Sequence, residues 1–317
     1  MDLGLNERAA RIADGMIADA TALGLQVESL GGGTRVIDAG VRAPGGLAAG
    51  RRLAEACMGG LGEIAFTTVD FGDYWLPGVI VSTDHPAVSC MASQYAGWKI
   101  DPEGYFAMGS GPLRAAARVE KQLFGTLGYE ERAKRGVLVL ETRQLPDAKV
   151  AAYVSERAGV SPDGLFLLVA PTASLAGGVQ ISARVLETAL HKMLELEFDI
   201  GAVLSGLGTA PLAPVAKDDL RAIGRTNDCV LYGGRAHFTV RTSDEALAEI
   251  VSRIPSSASS DYGTPFYEIF KRYDGDFYRI DPHLFSPAEV ALTNVASGRT
   301  FRAGEVNPAV LRASLLT

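Results

Sequence analysis

Apolar residues recur along this chain with two periods, and the switches between them predict where helices and strands fall. Residues 6–25 carry Ala9, Ile12, Met16, Ile17 and Leu23 on one stripe, which predicts a first helix with Asn6 as its N-cap. "LQVESLGGGTRVIDAGV" reads as two strands about a glycine turn, and "APGGLAAG" as a hinge into a second helix that ends at Met58. "EIAFTTVDF" and "LPGVIVST" read as strands, and helical signal returns over residues 87–97 and 113–124. "RGVLVLET" and "GLFLLVAP" read as strands flanking a helix in "PDAKVAAYVSERAGV". Cys229 to Tyr232 and Ala236 to Arg241 read as a strand pair turning at Gly233 and Gly234, followed by a helix in "SDEALAEIVSRIPS". "EVALTNVASGRTFRAGEVN" reads as a hairpin closing at Ser297 and Gly298.

Strands alternate with helices, yet hairpins are frequent. The expected fold class is therefore α/β, α+β-like, with mixed sheets rather than a doubly wound fold. A boundary is expected near residues 126–135. That gives a first α/β domain over 1–130 and a second over 131–284, with a C-terminal hairpin within 285–317 rejoining the first.

One helical stretch concentrates charge. It is "VQISARVLETALHKMLELEF", residues 179–198, after the small-residue loop "PTASLAGG". At about 100° per residue, Val185, Leu186, Ala189, Leu190, Met193, Leu194 and Leu196 share one arc. Arg184, Glu187, Thr188, His191 and Glu195 lie opposite. Periodicity alone makes Arg184 and Glu187 a surface ion pair, stabilising by roughly 0.2–0.5 kcal/mol.

Composition then excludes several classes of function. The net charge is −7 and the basic residues are scattered, so neither nucleic acid nor an anionic membrane is an expected partner. The longest apolar run, "LFLLVAP", is too short to span a bilayer. Three cysteines lie far apart without a CxxC, and "MDLGLNERAARIADGM" has no apolar signal region. Both point to a reducing, cytoplasmic setting. None of His85, His191, His237 and His283 has a second His or Cys at ligand spacing, so no metal site is expected. His85, in "TDHPAVS", reads first as a turn before Pro86. No P-loop, no GxGxxG between a strand and a helix, and no GxSxG occurs. Cys90 reads as a small buried residue.

The glycines do suggest a ligand. There are 36, many clustered, and loops that expose main chain suit a large, flat ligand. In "AMGSGPLRAA", Gly109, Ser110 and Gly111 precede a helix with Pro112 near its first turn. Free N–H groups there could hold an anion, although a tight helix start is the plainer reading.

Several stretches together carry a resemblance. They are "EACMGGLGE" (residues 55–63), "VSTDHPAVSCMASQYAGW" (81–98), "YFAMGSGPLRAAA" (105–117), "LLVAPTASLAGGVQISARVLETALHKMLEL" (167–196), "GRTNDCVLYGG" (224–234) and "PSSASSDYGTPFYEIFKRYDGDFYRIDPHLFSPAEV" (255–290). In this order, and over nearly the full chain, the set closely resembles the methenyltetrahydromethanopterin cyclohydrolase family.

The resemblance implies two α/β domains side by side, a pterin pocket between them, and a homotrimer without metal or nucleotide cofactor. It implies addition of water to N5,N10-methenyl-tetrahydromethanopterin, reversibly giving the N5-formyl form. That reaction belongs to one-carbon metabolism, including formaldehyde oxidation in methylotrophic bacteria. Within "SARVLE" it implies Glu187 as general base on the attacking water, with Arg184 setting its ionisation and helping to place the water. It implies that Gln94, Tyr95 and Ala96 line the site; lysine is expected at position 95 in many archaeal relatives, so only a main-chain role carries over there. Asp84 and His85 are candidates for the pocket wall. Arg114, Lys121, or the turn of Gly109, Ser110 and Gly111 are candidates for the carrier's anionic tail. An inactive trimeric pterin-binding protein, or the same hydrolysis on a folate-type carrier, are the alternatives.

Overall fold

The strands assemble into two mixed six-stranded sheets in the computed structural model, which describes residues 3–276 and 279–316. In chain order they are β1 (Gln26–Ser29), β2 (Arg35–Asp38), β3 (Glu63–Asp70), β4 (Trp75–Thr83), β5 (Trp98–Ile100) and β6 (Ala107–Ser110). There follow β7 (Gly136–Glu141), β8 (Leu165–Ala170), β9 (Val203–Pro211), β10 (Arg235–Val240), β11 (Glu289–Asn294) and β12 (Thr300–Gly304). The helices begin with α1 (Leu5–Ala18), α2 (Ala20–Leu23), α3 (Leu47–Cys57), α4 (Leu113–Ala117), α5 (Lys121–Leu127) and α6 (Ala148–Ala158). They continue with α7 (Leu175–Ser182), α8 (Val185–Glu195), α9 (Asp219–Gly233), α10 (Asp244–Ile250), α11 (Phe266–Arg272) and α12 (Pro308–Leu315).

The first of two compact units comprises Met1–Glu63 and Val88–Gln180. Its sheet runs β1-β2-β8-β7-β6-β5, with β2, β8 and β7 parallel. These strands are buried on both faces, which is why "LFLLVA" reads as an unbroken apolar run. The pleat divides them between two cores. Val137, Val139, Phe166 and Leu168 pack with Ala9, Ala13 and Leu53 of α1 and α3. Leu138, Leu140, Leu165 and Leu167 pack with Val150 and Val154 of α6 and Leu113 of α4.

The second unit comprises Ile64–Ala87 and Ile181–Thr317. Its sheet runs β12-β11-β10-β9-β4-β3, and β10 with β11 is a parallel pair. Helix α8 lies against β9 at glycines: a Cβ added at Gly208 would come within 2.8 Å of Val185 Cγ1. At Gly206 it would come within 3.2 Å of Leu186 Cδ1.

Four readings change. Asn6 does not cap α1; Gly4 does, in the left-handed region, and the Asn6 amide instead donates to the Pro112 carbonyl at 2.8 Å. Cys229 to Tyr232 is not a strand but the last part of α9. So short an apolar run has no period of its own. The helix is set by its Asp218 cap, which accepts from Arg221 N at 2.8 Å, and by its buried stripe of Ala222, Thr226, Cys229 and Val230. Residues 126–135 lie inside the first unit, because β6 and β7 on either side pair in one sheet. The C-terminal hairpin of β11 and β12 belongs to the second unit: β11 pairs parallel to β10, with Ala291 opposite His237.

Candidate active site

The charged stretch "VQISARVLETALHKMLELEF" is two helices, not one. α7 ends at Ser182, whose hydroxyl donates to the Pro211 carbonyl at 2.9 Å, and α8 starts at Val185. Arg184 stands at the N-cap of α8 and Glu187 in its first turn. Their side chains form an ion pair at 3.5 Å, longer than a tight charge-assisted hydrogen bond of about 2.7–2.9 Å. Neither faces bulk water: Arg184 is 8% exposed and Glu187 5%. The apolar face of α8, with Val185 and Leu186, seats on Gly206 and Gly208, yet the face that the helical wheel makes polar is buried here too. The Glu187 carboxylate is thus held in a sheltered place between a guanidinium and the positive end of a helix.

Lys192, further along α8, is also buried, and its ammonium donates to the His283 carbonyl. Burial pulls its pKa down to about 8, with Asp281 opposing. Lys192 therefore ties α8 to the turn at Pro282–Leu284.

In the first unit the structure gathers a second set of predicted residues. Ala87–Gln94 is a π-helix, a form that recurs at functional sites. Its wide turn is continued where Tyr95 N donates to Cys90 O at 2.8 Å. Gln94 is buried, and Tyr95 and Ala96 are half-buried. Around them, the Ser93 hydroxyl donates to the Cys57 carbonyl at 2.7 Å, and Cys57 Sγ lies 3.2 Å from Ser110 Oγ. Gly111, at φ 100°, donates its N–H to the Ser93 carbonyl at 2.8 Å. That is the donor an anion at this turn would need, and Gly109 is paired within β6. The Gly109, Ser110 and Gly111 turn and residues 94–96 are therefore brought together as one main-chain cluster.

Arg114 is not available to an anionic tail either. It is fully buried and ion-paired with Glu120 at 2.8 Å. Asp84 and His85 lie exposed where the chain leaves β4, and His85 N donates to Thr83 Oγ1 at 3.1 Å. Among the described residues, no group of three or more His, Cys, Asp or Glu side chains could hold a metal ion. Among the same residues, no helix is long and apolar enough to cross a membrane.

The family model described as "Cyclohydrolase (MCH)" matches residues 4–315. The chain belongs to that family. A methenyltetrahydromethanopterin cyclohydrolase of Methylobacillus flagellatus is 48% identical over 296 residues, covering 93% of this chain and 90% of its own. The protein of that name from Xanthobacter autotrophicus is 47% identical over 305 residues, covering 96% and 90%. The one from Methanococcoides burtonii is 40% identical over 310 residues, covering 98% and 97%. Similarity to bacterial and archaeal cyclohydrolases thus extends over both units.

Three features of this region have no signal in residue patterns. The π-helix has no composition of its own. Arg114 sits on α4 and Glu120 just before α5, so no helical spacing links them. Cys57 meets Ser110 only through the fold.

Proposed function

We infer that this chain is a cyclohydrolase that adds water to N5,N10-methenyl-tetrahydromethanopterin and reversibly gives the N5-formyl form, in one-carbon metabolism. The observation that carries this reading is family membership along residues 4–315, with cyclohydrolases of that name matching on both sides of every unit boundary.

We propose Glu187 as the general base and Arg184 as its partner. The methenyl carbon belongs to an amidinium-like cation and is already electrophilic. The step needs a positioned water and a base, and no change of oxidation state, so the proposed chemistry requires no metal or redox cofactor. Glu187 takes a proton as the water oxygen bonds to that carbon, giving a neutral carbinolamine. As the carbinol hydroxyl gives up its proton to solvent and becomes the formyl C=O, the carbon–N10 bond breaks, the formyl group stays on N5 and the Glu187 proton passes to N10, so that one proton is released overall. The carboxylate is regenerated and one water has been consumed. A sheltered carboxylate beside a guanidinium suits both halves: it faces a cation first and returns a proton afterwards. The main chain of Gln94, Tyr95 and Ala96, the turn of Gly109, Ser110 and Gly111, and Asp84 are proposed to meet the pterin carrier. Three buried cysteines, far apart in sequence and without a CxxC, support a reducing, cytoplasmic setting.

We also propose a homotrimer. The face of the second sheet opposite α8 carries a row formed by Ser82, Leu207, His237, Ala291 and Arg302, each directly opposite the next across the strands. Leu207 in this row is 51% exposed, on a face that further copies of the chain would cover.

The test is turnover of the methenyl carrier by purified protein, followed by loss of its absorbance. Rapid hydrolysis of the methanopterin form, with a far smaller kcat/KM for the folate form, is expected. Preference for the folate carrier, or tight binding of the methanopterin form without turnover, would refute it.

A further inference from the structure

We propose that Arg114 is a positioning residue: it fixes the main chain of Gln94, Tyr95 and Ala96 by gripping the end of the π-helix from beneath. This rests on the reading that those residues meet the pterin.

The argument is built from contacts within one unit. A helix leaves its last carbonyls without internal donors, and they must be satisfied from outside. Here the Arg114 Nη1 donates to the Met91 carbonyl at 3.3 Å and to the Ser93 carbonyl at 3.1 Å. The other edge of the same guanidinium meets Glu120: Nε donates to Oε1 at 3.0 Å, and Nη2 lies 2.8 Å from Oε2. One hydrogen bond at Nε and a charge contact at Nη2 hold the guanidinium against the carboxylate. The Tyr95 ring centroid lies 5.0 Å from the guanidinium carbon and the Phe124 ring 5.7 Å from it.

Arg114 is 0% exposed, so every contact it makes is internal. Lysine does not reproduce this, because a single compact ammonium lacks the spread, planar donors that reach both the Glu120 carboxylate and the two carbonyls.

Gly97 supplies a second, independent observation. A Cβ there would lie 1.6 Å from Glu120 Oε1 and 2.8 Å from Tyr95 Cε1. The chain leaving residues 94–96 therefore passes directly over the Arg114–Glu120 pair, and a side chain at position 97 would have to push the Glu120 carboxylate out of its place. The pair and the glycine act as one clamp, closed from both ends of the segment.

The experiment compares wild type, Arg114→Met, Arg114→Lys and Gly97→Ala by steady-state kinetics and by hydrogen exchange of the full chain. In each variant, peptides covering residues 88–97 are expected to exchange about tenfold faster or more, while β8 keeps its protection. kcat/KM is expected to fall about 100-fold in Arg114→Met and Gly97→Ala, through both a raised KM and a lowered kcat, and less in Arg114→Lys. Lys149→Ala, on the exposed face of α6, should change neither.

If Arg114→Met does not fold, Gly97→Ala decides, since it displaces Glu120 without touching the arginine. Unchanged exchange over 88–97 in Gly97→Ala and Arg114→Lys would overturn the proposal. So would loosening spread equally to β8, which marks a role in general stability. Absence of turnover in the wild type would instead refute the cyclohydrolase reading, and the exchange pattern alone would then decide the positioning role.

Discussion

Asp228 shows how a single buried group sets a pH dependence away from the reaction centre. Its carboxylate accepts from Phe266 N at 2.8 Å and from the Ser314 hydroxyl, which ties α9 to the starts and ends of two other helices. Burial pushes its pKa up to about 7, against the pull of those two hydrogen bonds. In the unfolded chain such a carboxyl ionises near pH ~3.9. Between these values the folded protein holds a proton that the unfolded chain has lost. This group's contribution to stability therefore falls as pH rises from about 4 to about 7, and is constant above that. Asn at this position keeps an acceptor for Phe266 N and cannot ionise. Asp228→Asn is expected to gain stability relative to wild type between pH 5 and pH 8, measured by urea unfolding at each. A difference independent of pH would contradict the assignment. Arg184 and Glu187 teach a related lesson: their pairing was legible from spacing, but their burial was not. It comes from tertiary packing around both faces of α8, which no helical wheel contains.

At the scale of elements, legibility followed the source of the stabilising force. Strands β2, β7 and β8 are buried on both faces, so their apolar runs announce them. The β1–β2 and β11–β12 hairpins were legible through glycines that turn the chain, Gly298 among them at φ 74°. The helical signal over residues 87–97 was legible, but not its π form, which depends on bonds reaching five residues back rather than on residue type. The break between α7 and α8 has no proline or glycine at Ala183 and Arg184 to mark it. It is held by tertiary contacts, the Ser182 hydroxyl on Pro211 and Val185 against Gly208. Arg114 reads as a candidate anion contact in the sequence because a basic residue near a glycine turn looks solvent-facing. Only the fold reveals Glu120 and two carbonyls as its partners.

At the scale of the whole molecule, the fold class and the family were legible, whereas the path of the chain between the units was not. Local patterns mark strands but not which sheet each joins. The hairpin of β11 and β12 finds its place through its register with β10. Assembly is a matter for the same scale. If the row that contains the exposed Leu207 is where copies meet, light scattering should give a mass about three times that of one chain. Leu207→Asp should then give monomers with an unchanged circular dichroism spectrum, because a carboxylate buried at such a contact loses its hydration. Trimers that survive this substitution would place the contact elsewhere.

If Glu187 moves the proton, its neutral, isosteric replacement should stop turnover without disturbing the fold. In Glu187→Gln, kcat for the methenyl carrier should fall by about 10²–10⁴ while carrier binding and thermal stability stay close to wild type. Wild-type turnover in Glu187→Gln would contradict that role.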